Sequence, residues 1–164
     1  MAVIVMGVSG CGKSTLGELL ARTLDCPFLE GDDYHSAQAV EKMRSGQALT
    51  DEDRWPWLDR LGQATGAAIV GRGVAITACS ALRKVYRDRL RDAIGQPVRF
   101  ILLDNSRDRL LDRMGNRPGH YMPASLLDSQ LATLERPLPE EGVLTLTTDD
   151  APMILRDKAM AWLG

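Results

Sequence analysis

Gly7-Val8-Ser9-Gly10-Cys11-Gly12-Lys13-Ser14 fits the phosphate-binding pattern G-x-x-x-x-G-K-[ST] at every position, with Thr15 directly after it. The glycines let successive backbone N–H groups turn inward around a nucleotide's phosphates, Lys13 adds a point charge at the β/γ end, and the Ser14 hydroxyl can take one position on Mg²⁺. A chance match in a chain this long has odds of roughly one in two hundred at ordinary residue usage. A plain glycine-rich turn is therefore a poor rival, and the expectation is a site for ATP formed by Gly7 to Thr15. Cys11 is either an inert small residue in that loop or a thiol made reactive by Lys13 and a helix N-terminus.

Other constellations carry charge in useful places. Glu30-Gly31-Asp32-Asp33 follows a short apolar run. Residues i and i+2 of an extended segment share a side, so Glu30 and Asp32 can point together while Asp33 points away. Glu30 could organise waters on Mg²⁺, and Asp32 could orient or deprotonate an attacking hydroxyl; the rival reading is an ordinary acidic turn. Thr50 and Asp53 have the spacing of a capping box, whereas the guanidinium of Arg54, just after them, suits bidentate binding of a carboxylate. Trp55 and Trp57 read as packing residues. Ser80 reads as an N-cap, and Arg83 and Lys84 open a basic helix that could meet an anionic substrate. Arg87, Arg89 and Arg91 continue that helix as solvated or dimer-facing residues. Arg113, Arg117 and His120 flank or lie in a Pro- and Gly-broken stretch, where arginines can close over β/γ-phosphates.

These groups need a frame. Ala2 to Met6 is a buried-strand run, and Ser14 to Leu24 carries Leu16, Leu19, Leu20 and Leu24 at helical spacing. Strand-type runs recur at 27–29, 74–77, 98–103 and 143–146, with helical periodicity between them, as in Leu82, Tyr86, Leu90 and Ile94. That alternation predicts an α/β fold: helices on both faces of a parallel sheet of about five strands, in one domain over 1–164. Two polar segments, 32–58 and 116–123, fit the layers badly and are expected over the carboxyl ends of the strands, as a substrate-binding insertion and a lid.

The chain has 164 residues, 45% of them hydrophobic, which is enough for one substantial core and too little for two ordinary domains. A net charge of −2 offers no general attraction to nucleic acid or anionic membrane. No apolar run reaches the ~18 residues of a membrane span. The odd count of three cysteines, widely spaced, argues against a disulfide framework or zinc site. Together with the absence of a leader-like start, these features predict a cytoplasmic protein.

The combined stretches resemble the gluconokinases, phosphate-loop sugar-acid kinases related to shikimate kinase and the nucleoside monophosphate kinases. The likeness runs through Met6–Thr15, Glu30–Asp32 with His35, Lys42-Met43, Leu49–Leu58, Ala78–Leu82, Tyr86-Arg87-Asp88, Arg117, Gly119–Met122, Ser129-Gln130 and Leu134-Glu135. It implies a three-layer phosphate-loop fold with a lid, and transfer of the ATP γ-phosphoryl to the 6-hydroxyl of D-gluconate, in a homodimer. On that reading Lys13, Asp32 and Arg117 are catalytic, Arg113 and Arg117 also meet ATP, and Asp32, His35, Arg54, Arg83, Lys84 and His120 hold the sugar acid. Ser36, Ala39 and Ala48 depart from the family, which usually has Pro, Asn and Pro there. Shikimate kinase is the nearest rival, but that family carries Gly-Gly-Gly where this chain has Cys79-Ser80-Ala81. A GTP-binding switch would need an Asn-Lys-x-Asp segment, and the sequence has none.

Overall fold

Every residue of β1 (Ala2–Met6) is buried, so this strand needs cover on both faces. The computed structural model describes residues 1–115, 124–147 and 149–164. In it, β1 is the centre of a five-stranded sheet completed by β2 (Phe28–Glu30), β3 (Ala75–Ala78), β4 (Val98–Asp104) and β5 (Leu144–Thr147). The order is β2-β3-β1-β4-β5, and each pairing is parallel. The strand runs expected from sequence fall within about one residue of these bounds.

Alternation along β1 divides the core. Ala2, Ile4 and Met6 pack with Trp57, Leu58 and Leu61 of α3 (Asp51–Arg72) and Tyr86, Leu90 and Ile94 of α4 (Lys84–Ile94). Val3 and Val5 pack on the other side with Leu16 and Leu20 of α1 (Lys13–Leu24) and Leu155 and Ala159 of α7 (Pro152–Leu163). Helix, sheet and helix form the expected layers. Strands β3 and β4 flank β1 and the connections leave in opposite directions, which opens a crevice at the carboxyl end of β1.

The segment between β2 and α3 is more ordered than its polarity suggests. Gly31–Tyr34 is a 3₁₀ turn capped by Glu30, and α2 (Ala37–Arg44) starts at Ser36, whose Oγ accepts the Ala39 N–H at 3.1 Å. The Thr50–Asp53 capping box forms at the start of α3 as the spacing predicts. Lys42 reinforces it by meeting Asp53 Oδ2 at 2.5 Å, which ties α2 to α3. Two further helices, α5 (Arg107–Gly115) and α6 (Ala124–Thr133), flank residues 116–123, so the expected lid lies outside the described residues.

Two expectations about α4 need correction. Ser80 is not its N-cap: Arg83 holds that position without a side-chain cap bond. The Ser80 carbonyl instead accepts the Gly7 N–H at 3.2 Å, and Ala81 turns at a positive φ of 45°, so the chain reaches the helix late. Arg87 is not solvated but fully buried. Its Nε and Nη2 reach the Glu141 carboxylate at 3.0 and 3.4 Å, Nη1 reaches the carbonyls of Ala81 and Leu82 at 3.0 and 3.3 Å, and Nη2 reaches that of Glu135 at 3.2 Å. Every N–H of the guanidinium has a partner, which is what a charge needs to be tolerated without water. Arg87→Met strands Glu141 and those carbonyls, and should cost about 3–5 kcal/mol of stability. Urea denaturation checks this; a loss under about 1 kcal/mol would show that the network is dispensable.

Candidate active site

The loop Gly7–Gly12 joins the buried end of β1 to α1. Gly7 adopts φ +145°, and a Cβ there would come within 2.8 Å of both Cys11 Sγ and the Leu103 carbonyl, so only glycine fits. Gly12 holds the position before the helix at φ 94°, in the left-handed region. The amides therefore turn around the space in front of α1, where the helix N-terminus adds partial positive charge. Lys13 Nζ donates to the Val8 carbonyl at 3.0 Å, which folds the ammonium back over the loop. Cys11 is fully buried among core residues, and this packing favours the inert alternative over the reactive one.

Glu30 and Asp32 take different jobs for a reason that the sequence pattern misses. Residues 31–34 are a 3₁₀ turn rather than extended chain, so the same-side argument fails there. Glu30 instead accepts the Ser14 hydroxyl, and burial, outweighing that bond, pushes its carboxyl above its usual value. Asp32 projects into the cleft with a side chain 60% exposed. Gly31 makes the turn fit, since a Cβ there would stand 2.3 Å from the Ala78 carbonyl.

Ser9, Lys13, Asp32, His35, Arg54, Ser80, Tyr86, Ser129 and Gln130 supply the polar lining of the cleft. His35 stacks on Trp57 with ring centroids 4.0 Å apart, and Trp57 Nε1 donates to the Gly31 carbonyl at 2.8 Å. His35 Nε2 is 3.9 Å from Asp32, while its buried Nδ1 has no partner among the described residues. Burial, aided by the charges of Arg54 and Arg60, lowers the imidazole to about 4, so the ring is neutral near pH 7. Arg54 reaches in from the first turn of α3. Met43, Ala48, Leu49 and Leu82 supply apolar wall.

The sequence-predicted residues divide. Lys13, Asp32, His35 and Arg54 share the cleft, and Ser14 and Glu30 are bonded to each other but do not line it. Arg83 lines an adjoining groove, where it meets Asp51 at 3.4 Å and Glu135 at 3.1 Å. Lys84 is not brought in; its ammonium pairs with Asp88 at 2.7 Å on the surface of α4. Arg117 and His120 lie outside the described residues, as does the side chain of Arg113. Among the cleft-lining residues, Tyr86 and Gln130 make polar contacts of consequence yet were given no site role from sequence, although both fall in stretches of the family likeness. Tyr86 was hidden because its spacing is that of a core helix position. Gln130 was hidden because nothing local marks it, yet its Oε1 accepts the Ser9 N–H at 2.7 Å across 121 positions of chain.

Strand order, loop and cleft together define a phosphate-loop kinase. Residues 3–137 match the family model described as an AAA domain. Gluconokinase of Gluconobacter oxydans is 45% identical over 160 residues, covering 95% of this chain and 87% of that protein. Thermosensitive gluconokinase of Escherichia coli is 45% identical over 84% of this chain and 73% of its own length. The structure of a gluconokinase from Sinorhizobium meliloti aligns at TM-score 0.85 and 41% identity, over 99% of this chain and 90% of that one. Shikimate kinase from Aquifex aeolicus, at 15% identity and TM-score 0.61 over 99% and 96%, shares the fold alone. The chain belongs to the gluconokinase family.

The depressed His35 and Asp53 pKa values predict how acid weakens the site. Unfolded His35 binds a proton near pH 6.5 and the folded ring only near 4, so stability rises with pH across that interval and is lost on acidification through it. Asp53, held at about 2 first by Lys42 and then by the Thr50 N–H, adds a loss below about pH 4. The melting midpoint of the wild type should fall from pH 6.5 to 4.5, and His35→Gln should flatten that slope. An unchanged slope would mean that His35 titrates normally.

Proposed function

We propose that this protein transfers the γ-phosphoryl of ATP to the 6-hydroxyl of D-gluconate, giving 6-phosphogluconate and ADP. The observation that carries this reading is the shared cleft: a phosphate loop with Lys13 at one end, an exposed carboxylate, Asp32, beside it, and Arg54 on a facing wall. A nucleotide on the loop amides presents its γ-phosphate next to Asp32. Asp32 orients the primary hydroxyl or takes its proton as the O–P bond forms. Arg54 holds the substrate carboxylate, and the neutral His35 is assigned to the sugar acid as the family resemblance implies.

The Ser14 hydroxyl and the Glu30 carboxylate beside it are hard oxygen donors of the kind that Mg²⁺ accepts, and they stand at the helix end where β/γ-phosphates would lie. Among the described residues no group of three or more His, Cys, Asp or Glu side chains is placed to hold a metal ion. That fits an ion held mostly by phosphates and water. When bound, Mg²⁺ neutralises phosphate charge. Arg117 and Arg113 are assigned to the phosphates, and His120 to the sugar acid, as the family resemblance implies. A cytoplasmic homodimer completes the reading; no helix among the described residues is long and apolar enough to cross a membrane.

A coupled ADP-release assay over gluconate, shikimate, glucose and nucleoside monophosphates tests it. Gluconate should be strongly preferred, because neutral glucose offers Arg54 no carboxylate. Asp32→Asn should keep nucleotide binding and lose roughly 10²–10⁴-fold in turnover. Greatest activity on shikimate or a nucleotide would overturn the substrate; a fully active Asp32→Asn would remove the role given to that carboxylate.

A further inference from the structure

Arginine carries several rotatable bonds, and pointing one into a cleft costs rotamer entropy unless something holds it. Arg54 is held. Its side chain is 16% exposed, and its Nη1 donates to the Tyr86 hydroxyl at 3.0 Å. The same hydroxyl donates to Asp51 Oδ1 at 2.5 Å, and that oxygen stands 3.5 Å from Arg54 Nη1. Asp51, Arg54 and Tyr86 thus close a triangle, with two corners on α3 and one on α4.

Tyr86 can act as a fixed post because its ring is packed in the core. It is 2% exposed, and its ring meets the edge of Trp55 with centroids 5.7 Å apart. The Arg54 guanidinium lies 5.1 Å from the Tyr86 ring centroid, within cation–π range. Burial, and then the bond to Asp51, raise the phenol above its usual pKa, so it remains a protonated donor throughout the working range. Asp51 is pinned in turn, since its second oxygen accepts from Arg83 at 3.4 Å.

We propose that Tyr86, backed by Asp51, is a positioning residue for sugar-acid recognition: it fixes the Arg54 guanidinium so that the rest of the donor fork meets the substrate carboxylate. The inference rests on the reading of Arg54 as the sugar-acid contact. Both anchoring contacts engage Nη1, while Arg54 as a whole lines the cleft. A preorganised fork gains affinity because less freedom is lost when the carboxylate arrives. Tyr86 itself lines the cleft, so what separates positioning from a direct substrate contact is that the effect of its hydroxyl must vanish when Arg54 is gone.

The test is a double-mutant cycle on the full chain, with Tyr86→Phe, Arg54→Ala and the pair, measured by steady-state kinetics in gluconate and in ATP. Phenylalanine keeps the buried ring and removes only the hydroxyl. The expected result is a rise of about tenfold in KM for gluconate in Tyr86→Phe, the scale of one lost charge-assisted hydrogen bond, with KM for ATP unmoved. In the Arg54→Ala background the same change should raise KM no further. A wild-type KM for gluconate in Tyr86→Phe overturns the proposal. So does an equal rise in both backgrounds, or a rise shared with ATP and matched by a drop in melting midpoint, since each marks a structural role. A wild type that is inactive on gluconate overturns the substrate reading and this inference with it; an active wild type beside an unaffected Tyr86→Phe overturns this inference alone.

Discussion

The parallel ladder between β1 and β3 is the constraint from which the site hangs. Val5 pairs with Ala78, so the chain leaves both strands side by side. Two bonds extend the pairing past the strand ends: Cys79 N–H to the Val5 carbonyl at 3.0 Å, and Gly7 N–H to the Ser80 carbonyl at 3.2 Å. The phosphate loop and the loop that leads to α4 are therefore fastened to each other before either meets a ligand. A parallel sheet buried on both faces has little freedom to slip, because a one-residue shift would turn each strand's side chains into the wrong layer. The phosphate loop and the start of the basic helix are held in one register by backbone geometry.

Charge is organised around the same loops. Arg87 draws the carbonyls of Ala81, Leu82 and Glu135 to one guanidinium and pairs with Glu141, so the segment after α6 is secured to the end of β3. Glu135 repeats the connection from its own side, with its N–H on the Leu82 carbonyl at 2.7 Å and its carboxylate on Arg83. At the other end of this region, Gln130 on α6 touches the phosphate loop through Ser9. One short stretch, 130–135, thus contacts both the nucleotide loop and the basic start of α4.

How much of this could be read from the residues alone depended on whether the signal was local. The phosphate loop, the sheet class and the Thr50–Asp53 cap were legible because each is written in a few consecutive residues: a glycine pattern, apolar runs, a Thr-to-Asp spacing. Arg87 was misread because four helix neighbours with charge look like a solvated face, and Glu141, 54 positions away, is what allows its burial. Ser80 was misread because a serine before a helix resembles a cap until Ala81 is seen at positive φ. The Glu30–Asp32 argument took extended geometry where Gly31 permits a 3₁₀ turn, which sends one carboxylate to Ser14 and the other to the cleft. Tyr86 illustrates the general limit. Periodicity reports that a residue faces inward, but not that its hydroxyl meets an arginine 32 positions earlier.

The departures from the family pattern can be weighed by where they fall. Ser36 caps α2 through its hydroxyl, a stabilising contact that proline could not make, and it is absent from the cleft lining. Ala39 is buried within α2 and likewise contributes nothing to that lining. Ala48 alone lies on the cleft wall, beside Leu49 and Arg54. Where proline would fix φ and remove an N–H, alanine leaves the 45–50 connection with a backbone donor and more freedom next to the arginine. Two of the three differences therefore act on how α2 folds, and only the third lies on the cleft wall. Any shift in sugar-acid preference between this chain and its relatives that arises at these positions must pass through Ala48 and the wall that it shares with Arg54.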